Sequence, residues 1–365
     1  MKGEVVFFRV FDIGASVDLG EIRRRVPMEF LSGHEPSERA APRYAKLPDS
    51  LLVTVDRRTL DTTRGRLEID LSVRLYEVGA LAVTVRVPFE VDTLPQLSAF
   101  GSLRVVRDGK KEDLDAFCGR IAARIEEDIV PYLHDSYDVR VDPEPYLAYC
   151  ITQPDVPARV YVESRRRDVT ALLAGDPRPE DISDEEVQDT WQTWYSYYRD
   201  DLVVIEWDAA LVIEPSGKYE DTLGVLEIAN LQLLELRTYD AYLDKVVDKA
   251  YDDLETFFAR GGLFRSGRSI VKDLAEVRMD LSEMTVAVEN ISKFYGDFFL
   301  GKVYGGCTRK FELESWQRTV DDKMRALTEI YQVARGEVES RRMLWLELLI
   351  VLLFVSDLVL ILYLG

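Results

Sequence analysis

Apolar residues alternate with polar ones over short runs in the first half of the chain, and this spacing predicts β-strands. The clearest runs are 67–75 and 80–89, which flank a turn at 77–79 and therefore predict a β-hairpin. Further strands are predicted at 5–10, 146–152, 159–163, 202–207 and 210–213. Residues 113–132 have the three- and four-residue spacing of a helix. The first half is thus predicted to be an α+β domain, a sheet with helices on one face.

Three long helices are predicted after residue 220, because apolar positions there repeat every three and four residues. The most regular repeat has the apolar positions Ile270, Leu274, Val277, Leu281, Met284, Val288, Ile291, Tyr295 and Phe298. The third helix continues this spacing at Val320, Leu327 and Tyr331. Glycine-containing connections between the helices favour long antiparallel coiled-coil helices. The pattern fits pairing within one chain and pairing between two chains equally well.

A continuous apolar stretch at 343–363 has the length that a helix needs to cross a bilayer, about 20 residues. Arginines precede it and only two residues follow it. The positive-inside rule therefore predicts a single-pass, tail-anchored protein with a cytoplasmic N-terminal domain, and we expect it in a bacterial inner membrane. The residues expected at the membrane interface are Arg341, Arg342, Trp345 and Tyr363.

Two acidic residues interrupt the apolar stretch. Glu347 is close enough to the cytoplasmic edge to reach the headgroups. Asp357 lies deeper, next to Ser356, where a carboxylate costs roughly 3 kcal/mol unless it is neutralised or paired. We expect a hydrogen bond from a protonated Asp357 across an oligomer interface. The alternative is an ion or proton path through the membrane.

The sequence divides into four predicted regions. Residues 1–190 form an α+β soluble domain, 191–219 a strand pair and linker, 220–342 a three-helix coiled-coil stalk, and 343–363 a transmembrane helix. The aromatic-rich stretch 191–198 is expected in the core or at a domain interface, because clusters of large aromatic side chains are usually buried.

Charge narrows the range of partners. The chain has 66 acidic and 46 basic residues, a formal net charge of −20. Such a surface repels phosphate backbones, so nucleic-acid binding is not expected. The apolar stretch instead predicts a membrane as one partner, and the heptad pattern predicts a homo-oligomer.

Candidate catalytic and metal-binding groups are scarce. The chain has two histidines and three widely spaced cysteines, which favours a reducing compartment over a disulfide framework. One acidic pattern is regular, with carboxylates every four residues at Asp240, Asp244, Asp248 and Asp252. The neighbouring Lys245 and Lys249 favour a solvated charged face there. No catalytic, cofactor-binding or metal-binding residue is predicted.

The C-terminal part also shows a family-like order of segments. It contains, in order, DDLVVIEWDAALVI at 200–213, EIANLQLLELRTYDAYLD at 227–244, YGDFFL at 295–300 and EVESRRMLWLELLIVLLFVSDLVL at 337–360. This order resembles the "required for meiotic nuclear division" family, a conserved domain of unknown function. The resemblance implies a membrane-anchored, oligomeric and non-catalytic protein.

Three functions are compatible with these features. The first is a tail-anchored scaffold that self-associates through its coiled-coil helices and presents its α+β domain to a protein partner. The second is an oligomeric channel or proton-coupled membrane component that uses Asp357. The third is an enzyme whose site lies in the N-terminal domain, although no residue pattern identifies that site.

Overall fold

The computed structural model describes residues 1–25, 49–107, 109–134, 139, 141–259 and 298–364. These residues divide into two compact units. The first unit contains 1–238 and 298–317, and the second contains 239–259 and 318–364. The predicted region boundaries at 190, 219 and 342 stay predictions.

A mixed β-sheet forms the centre of the first unit. The strands within the described residues are β1 (Lys2–Asp12), β2 (Ser16–Val17), β3 (Ser50–Thr62), β4 (Gly65–Tyr76), β5 (Ala80–Glu90), β6 (Arg104–Arg107), β7 (Lys110–Asp113), β8 (Leu133–His134), β9 (Glu144–Gln153), β10 (Trp194–Tyr195), β11 (Leu202–Ile205) and β12 (Ala209–Ile213). Ten of them form one sheet in the order β10-β11-β12-β9-β1-β5-β4-β3-β6-β7, and β2 pairs with β8. The β9–β12 pair is parallel, and the other pairs are antiparallel.

Helices follow five of the twelve strands in the described residues. The α-helices within the described residues are α1 (Leu19–Arg25), α2 (Leu94–Gly101), α3 (Leu114–Ile129), α4 (Ala158–Ser164), α5 (Arg166–Leu173), α6 (Asp184–Thr190), α7 (Glu220–Ala259), α8 (Phe298–Lys310) and α9 (Leu313–Leu364). Several begin at a polar cap. The Asp113 side chain accepts a hydrogen bond from the Ala116 backbone N–H at 2.8 Å, and the Ser183 hydroxyl accepts one from Glu186 N–H at 3.1 Å.

The predicted hairpin is confirmed: β4 and β5 pair from Tyr76 opposite Ala80. Its turn requires glycine for two reasons. Gly79 has a φ of +84°, which disfavours residues with a side chain, and a Cβ atom there would lie 1.9 Å from the Gly14 carbonyl oxygen. The turn therefore fixes both the hairpin and the close approach of the chain that follows β1.

The predicted strand at 159–163 is wrong, because these residues lie in α4. Alternating Val160 and Val162 suggested a strand. However, the buried residues are Ala158 and Tyr161, whose three-residue separation is helical. Pro157 directly precedes the helix with a φ of −55°, a value that suits a helix start.

Helices cover both faces of the sheet, so the prediction of helices on one face is wrong. On one face, Val5 and Phe7 belong to the main hydrophobic core. On the other, Val10 packs in a second cluster with Ile228 and Leu231 of α7. Alternate residues of β1 are therefore buried on opposite sides, which explains its nearly continuous apolar sequence. The coarse fold stands as predicted: a mixed sheet domain, later helices, and one apolar C-terminal helix.

In the second unit, an ion cluster joins the two helical segments. Lys323 Nζ of α9 lies 2.6 Å from a carboxylate oxygen of Asp240 and 2.6 Å from one of Asp244, both in α7. A cation from α9 therefore helps to balance these two aspartates. A coiled-coil or antiparallel arrangement of the helices stays a prediction.

Candidate functional site

One helix of the second unit is long and apolar enough to cross a membrane. The segment Met343–Leu360 of α9 has 18 residues and a mean hydropathy of 2.4, and none of it is buried. An apolar helix of a soluble core would be buried on at least one face. A helix in lipid satisfies its own backbone hydrogen bonds and can expose apolar side chains on all sides. The segment is therefore compatible with a single-pass membrane protein.

The predicted membrane residues all lie in α9. Trp345 is exposed, as are the two acidic residues Glu347 and Asp357. The backbone is helical at Arg341, Arg342 and Tyr363. These positions follow the predicted order of interface, apolar segment and interface along one helix.

The predicted coiled-coil positions fall into three groups. Those that lie outside the described residues are Ile270, Leu274, Val277, Leu281, Met284, Val288, Ile291 and Tyr295. In α9, Val320 and Leu327 are buried and Tyr331 is half-buried, the pattern of a helix with a packed stripe. Phe298 begins α8 and is exposed.

The first unit has an exposed aromatic cluster, defined by Tyr197, Tyr198 and the half-buried Phe299. The exposed fractions of the two tyrosines are 62% and 69%. The ring centroids of Tyr197 and Tyr198 lie 4.7 Å apart, and that of Tyr197 lies 5.7 Å from Phe299. Lys302 Nζ lies 4.4 Å from the Phe298 ring centroid, within cation–π range. Sequence reasoning placed 191–198 in a core or at an interface, and only its first part, at Trp191, is buried.

Asp201 holds the loop that carries the two tyrosines. Its carboxylate accepts hydrogen bonds from the backbone N–H groups of Tyr197 at 2.8 Å and Tyr198 at 3.0 Å. The Ser196 hydroxyl donates to the Tyr198 carbonyl at 2.6 Å. Asp201 is itself buried. The tyrosines are therefore presented in a fixed geometry, which lowers the entropy lost when a partner binds.

Helix α8 is fixed against the sheet next to this cluster. Lys310 Nζ lies 2.5 Å from a carboxylate oxygen of Asp189 and 3.0 Å from one of Glu206. A Cβ atom at Gly306 would lie 2.7 Å from the Tyr195 ring, so glycine permits the close contact between α8 and β10. Because α8 carries Phe299, which contacts Tyr197, these contacts help to position the aromatic cluster.

A charged network lies between the sheet and the start of α7. The Arg86 guanidinium donates two 2.7 Å hydrogen bonds to the Glu220 carboxylate and one of 2.9 Å to Glu4. Burial opposes the charge on Arg86, but Glu220 and Glu4 outweigh it and raise the pKa of Arg86. The Tyr76 hydroxyl donates to Glu227 at 2.6 Å. Burial, together with Glu227, raises the pKa of Tyr76 well above its usual range. Since each charge has a partner, we assign this network a structural role.

Burial raises the pKa values of one acid and three thiols in the first unit. Burial raises the pKa of Asp12 to about 6, although its hydrogen bond from the Gly14 backbone N–H opposes the rise. Burial also raises the pKa of Cys118 to about 12, and it raises that of Cys150 and Cys307. Thiols in this state are inert, because the thiolate is the nucleophile. Within the described residues, no group of three or more His, Cys, Asp or Glu side chains could hold a metal ion.

Comparison with known proteins gives one family and one relative. The model of the family described as "Uncharacterized protein MJ0711, N-terminal domain" matches residues 2–220. The "Uncharacterized protein MJ0711" of Methanocaldococcus jannaschii is 23% identical over 258 residues, which cover 71% of this chain and 77% of that protein. No solved structure matches the chain significantly.

The resemblance to the "required for meiotic nuclear division" family is wrong, because the comparisons indicate a different family. That resemblance rested on residues 200–365. A strand, long helices and an apolar segment in this order form a general pattern that does not identify a family. The family match lies mainly in the sheet domain, where the sequence has more specific constraints. The match covers more than half of the 365 residues, and the chain therefore belongs to the family of the uncharacterized protein MJ0711 N-terminal domain.

Proposed function

We propose that this protein is a membrane-anchored scaffold that presents its sheet domain to a protein partner. One observation carries the membrane anchor: the 18-residue segment Met343–Leu360 is apolar and none of it is buried. Water would oppose such a surface by roughly 1.5–3 kcal/mol for each large apolar side chain. A bilayer removes that cost, whereas a soluble protein would need another surface to cover the segment.

The arginines before the segment support a cytoplasmic sheet domain. Arg335 in α9 pairs with Glu339 at 2.9 Å, and Arg341 and Arg342 follow close to the apolar residues. Basic residues beside a membrane segment favour the cytoplasmic side. We therefore propose a single-pass protein of a cytoplasmic membrane. The relative from Methanocaldococcus jannaschii means that this membrane need not be bacterial.

Self-association through helices is the second part of the proposal. The buried Val320 and Leu327 support a packed stripe on α9 before the membrane segment. Seven residues separate them, the heptad distance. The long heptad pattern at 270–298 is consistent with further pairing, within one chain or between two.

The aromatic cluster is the proposed docking site for the partner. Tyrosines supply large contact areas with little loss of side-chain entropy, and they are enriched in the energetic centres of protein interfaces. Arg199 and Asp200 are exposed beside Tyr198 and provide charges of both signs. An apolar centre with a mixed polar rim suits a protein partner. An acidic residue in that position does not suit insertion into lipid.

The anchor is tested by membrane extraction of the full chain. Wild-type protein should stay in the membrane pellet at alkaline pH. Replacing Leu349 and Leu352 with arginine should move it to the soluble or aggregated fraction, since each central arginine costs about 2.5–3.5 kcal/mol on insertion. Alanines at the same two positions are the control and should leave the protein in the pellet. If wild-type protein is released, the proposed anchor is wrong.

The partner site is tested by photo-cross-linking in cells. A photoreactive residue at Tyr198 should capture one protein reproducibly. The control position is Lys110 on β7, at the opposite end of the sheet from β10. Replacing Tyr197 with serine should reduce capture from position 198. Equal capture at both positions, or capture at neither, would contradict this docking site.

A further inference from the structure

Asp357 is a polar side chain in the middle of an apolar surface. It is exposed in α9, and it has no hydrogen-bond or ion-pair partner among the described residues. The other polar residues of 343–363 are its neighbour Ser356 and Glu347, ten positions earlier. The stretch contains no lysine, arginine or histidine that could neutralise a carboxylate.

The position of Asp357 makes an unpaired carboxylate costly. Tyr363 comes six positions after it, so Asp357 lies about 9 Å inside the end of the stretch at 1.5 Å per residue. Its side chain is too short to reach the headgroups in the way that lysine does. Acidic residues at such depth are paired or face the interior of a helix bundle. Asp357 therefore calls for a partner from another membrane helix.

The residues around Asp357 define one face of the helix. At about 100° per residue, Ile350, Leu353 and Leu360 lie within about 60° of Asp357. The opposite face carries Val355 and Val359. A second helix packed on the first face would cover Asp357 and the apolar side chains above and below it.

We infer that two copies of this chain pack side by side in the membrane, with the Asp357 side chains hydrogen-bonded to each other. The inference rests on the proposed membrane anchor. A second copy inserted in the same direction places an identical group at the same depth. A carboxylic acid both donates and accepts hydrogen bonds, so two of them complement each other without a basic residue. The flanking leucines then pack across the same interface.

Cysteine cross-linking in native membranes tests which face pairs. The native cysteines are buried in the first unit, so a cysteine added to the segment is the reactive one. Leu353→Cys and Leu360→Cys should form disulfide-linked dimers on oxidation. Val355→Cys and Val359→Cys are controls at matched depth and should not. Equal cross-linking on both faces, cross-linking on the Val355 face only, or no cross-linking would overturn the inference.

The role of the carboxyl group is tested on the Leu353→Cys background. Asp357→Leu should lower the dimer association constant about three- to thirtyfold, the range of a hydrogen bond between membrane helices. Asp357→Asn, which still donates and accepts, should retain most of the dimer. Glu347→Leu is the control and should have no effect. Unchanged cross-linking of Asp357→Leu would overturn the hydrogen-bonded pair.

Alkaline extraction of the same membranes separates two kinds of failure. A chain that is extracted would overturn the anchor and this interface with it. A chain that stays in the pellet but gives no cross-link on the Asp357 face would overturn the interface alone.

Discussion

Two strongly apolar stretches of this chain are in opposite environments. In β5, the residues from Ala80 to Val83 are 0% exposed. In Met343–Leu360, the large apolar residues are 50–72% exposed. Both have the composition of a protein interior. Composition alone therefore shows that a segment avoids water. The backbone structure shows whether a protein core covers the segment or leaves its side chains exposed.

The difference follows from backbone hydrogen bonding. A strand needs neighbouring strands, and β5 has β1 on one side and β4 on the other. It is therefore tied to the centre of a sheet, where both faces are covered. A helix satisfies its own backbone groups, so α9 can place an apolar segment in lipid without partners. The first unit is stabilised by burial within the protein, and the second unit combines a packed stripe with an exposed apolar segment.

The largest effect on stability is expected when phenylalanine is replaced with alanine, and the same substitution in each stretch tests the difference between them. Phe7→Ala in β1 removes a ring that is 1% exposed in the main core, and should lower the free energy of unfolding of the first unit by about 3–5 kcal/mol. Phe354→Ala removes a ring that is 72% exposed and should change the free energy of unfolding of the first unit by less than about 0.5 kcal/mol.

Denaturant titration of the full chain in mild detergent measures both values. Tryptophan fluorescence is a suitable signal for the first unit, which contains Trp191, Trp194, Trp207 and Trp316. A similar loss for Phe354→Ala would mean that the apolar segment stabilises the sheet domain, and the contrast between the two stretches would be wrong.

The next effect concerns buried and exposed charge within the first unit. Arg86→Ala should cost about 2–4 kcal/mol, because Glu4 and Glu220 would stay largely buried without their cation. Arg57→Ala is the control. Its partner Asp70 is at 2.7 Å, but both side chains are exposed, so the loss should be much smaller than for Arg86→Ala. Equal losses of stability in the two variants, measured by the same titration, would mean that the buried network contributes no more than an exposed ion pair.

Asp12 should make the stability of the first unit depend on pH. Its pKa is about 6 in the folded protein and 3.8 in the unfolded chain, so the folded state binds more protons between these values. The free energy of unfolding should therefore fall as the pH rises from about 4 to about 6. Asp12→Asn should remove this fall and stabilise the protein at pH 7 by about 1–3 kcal/mol, while having little effect at pH 4. An unchanged pH profile would show that Asp12 is ionised without penalty.

The elements of the sheet domain were predictable where the local sequence pattern fits only one type of secondary structure. The hairpin of β4 and β5 follows from clean alternation on both sides of a turn that contains Gly79. The strand predicted at 159–163 was wrong because alternation of β-branched residues over five positions also fits a helical turn. The covering of the second face depends on α7, which is separated from β1 by more than 200 residues, and no local pattern shows such a contact.

The candidate sites were predictable to different degrees. The candidate membrane segment is identified by its length and hydropathy alone, and both are read from the sequence. The aromatic cluster depends on tertiary structure, because Tyr197 is exposed while Trp191, in the same stretch, is buried. A signal was present in Asp201, an acidic residue close after the two tyrosines and suited to binding backbone N–H groups. The contact with Phe299, by contrast, joins positions about 100 residues apart.

The smallest expected effect concerns charge in the second unit. Asp240 and Asp244 are neighbours on one side of α7 and repel each other, and the sequence offered Lys245 and Lys249 as compensation. The structure adds Lys323, which lies 2.6 Å from both carboxylates. Burial opposes its charge, but the two aspartates outweigh burial and raise the pKa of Lys323.

Lys323→Ala should therefore destabilise the second unit by about 1–2 kcal/mol, since Asp240 would stay mostly buried beside a like charge. Hydrogen exchange of the α7 backbone at 239–259 measures this loss as faster exchange. Arg325→Ala in the same helix is the control, because its pair with Asp322 is exposed at both side chains and should contribute less than about 0.5 kcal/mol. Equal exchange in the two variants would mean that the aspartates are balanced without α9, as the sequence alone suggested. Faster exchange only in Lys323→Ala would show that α7 in the second unit depends on a contact with α9.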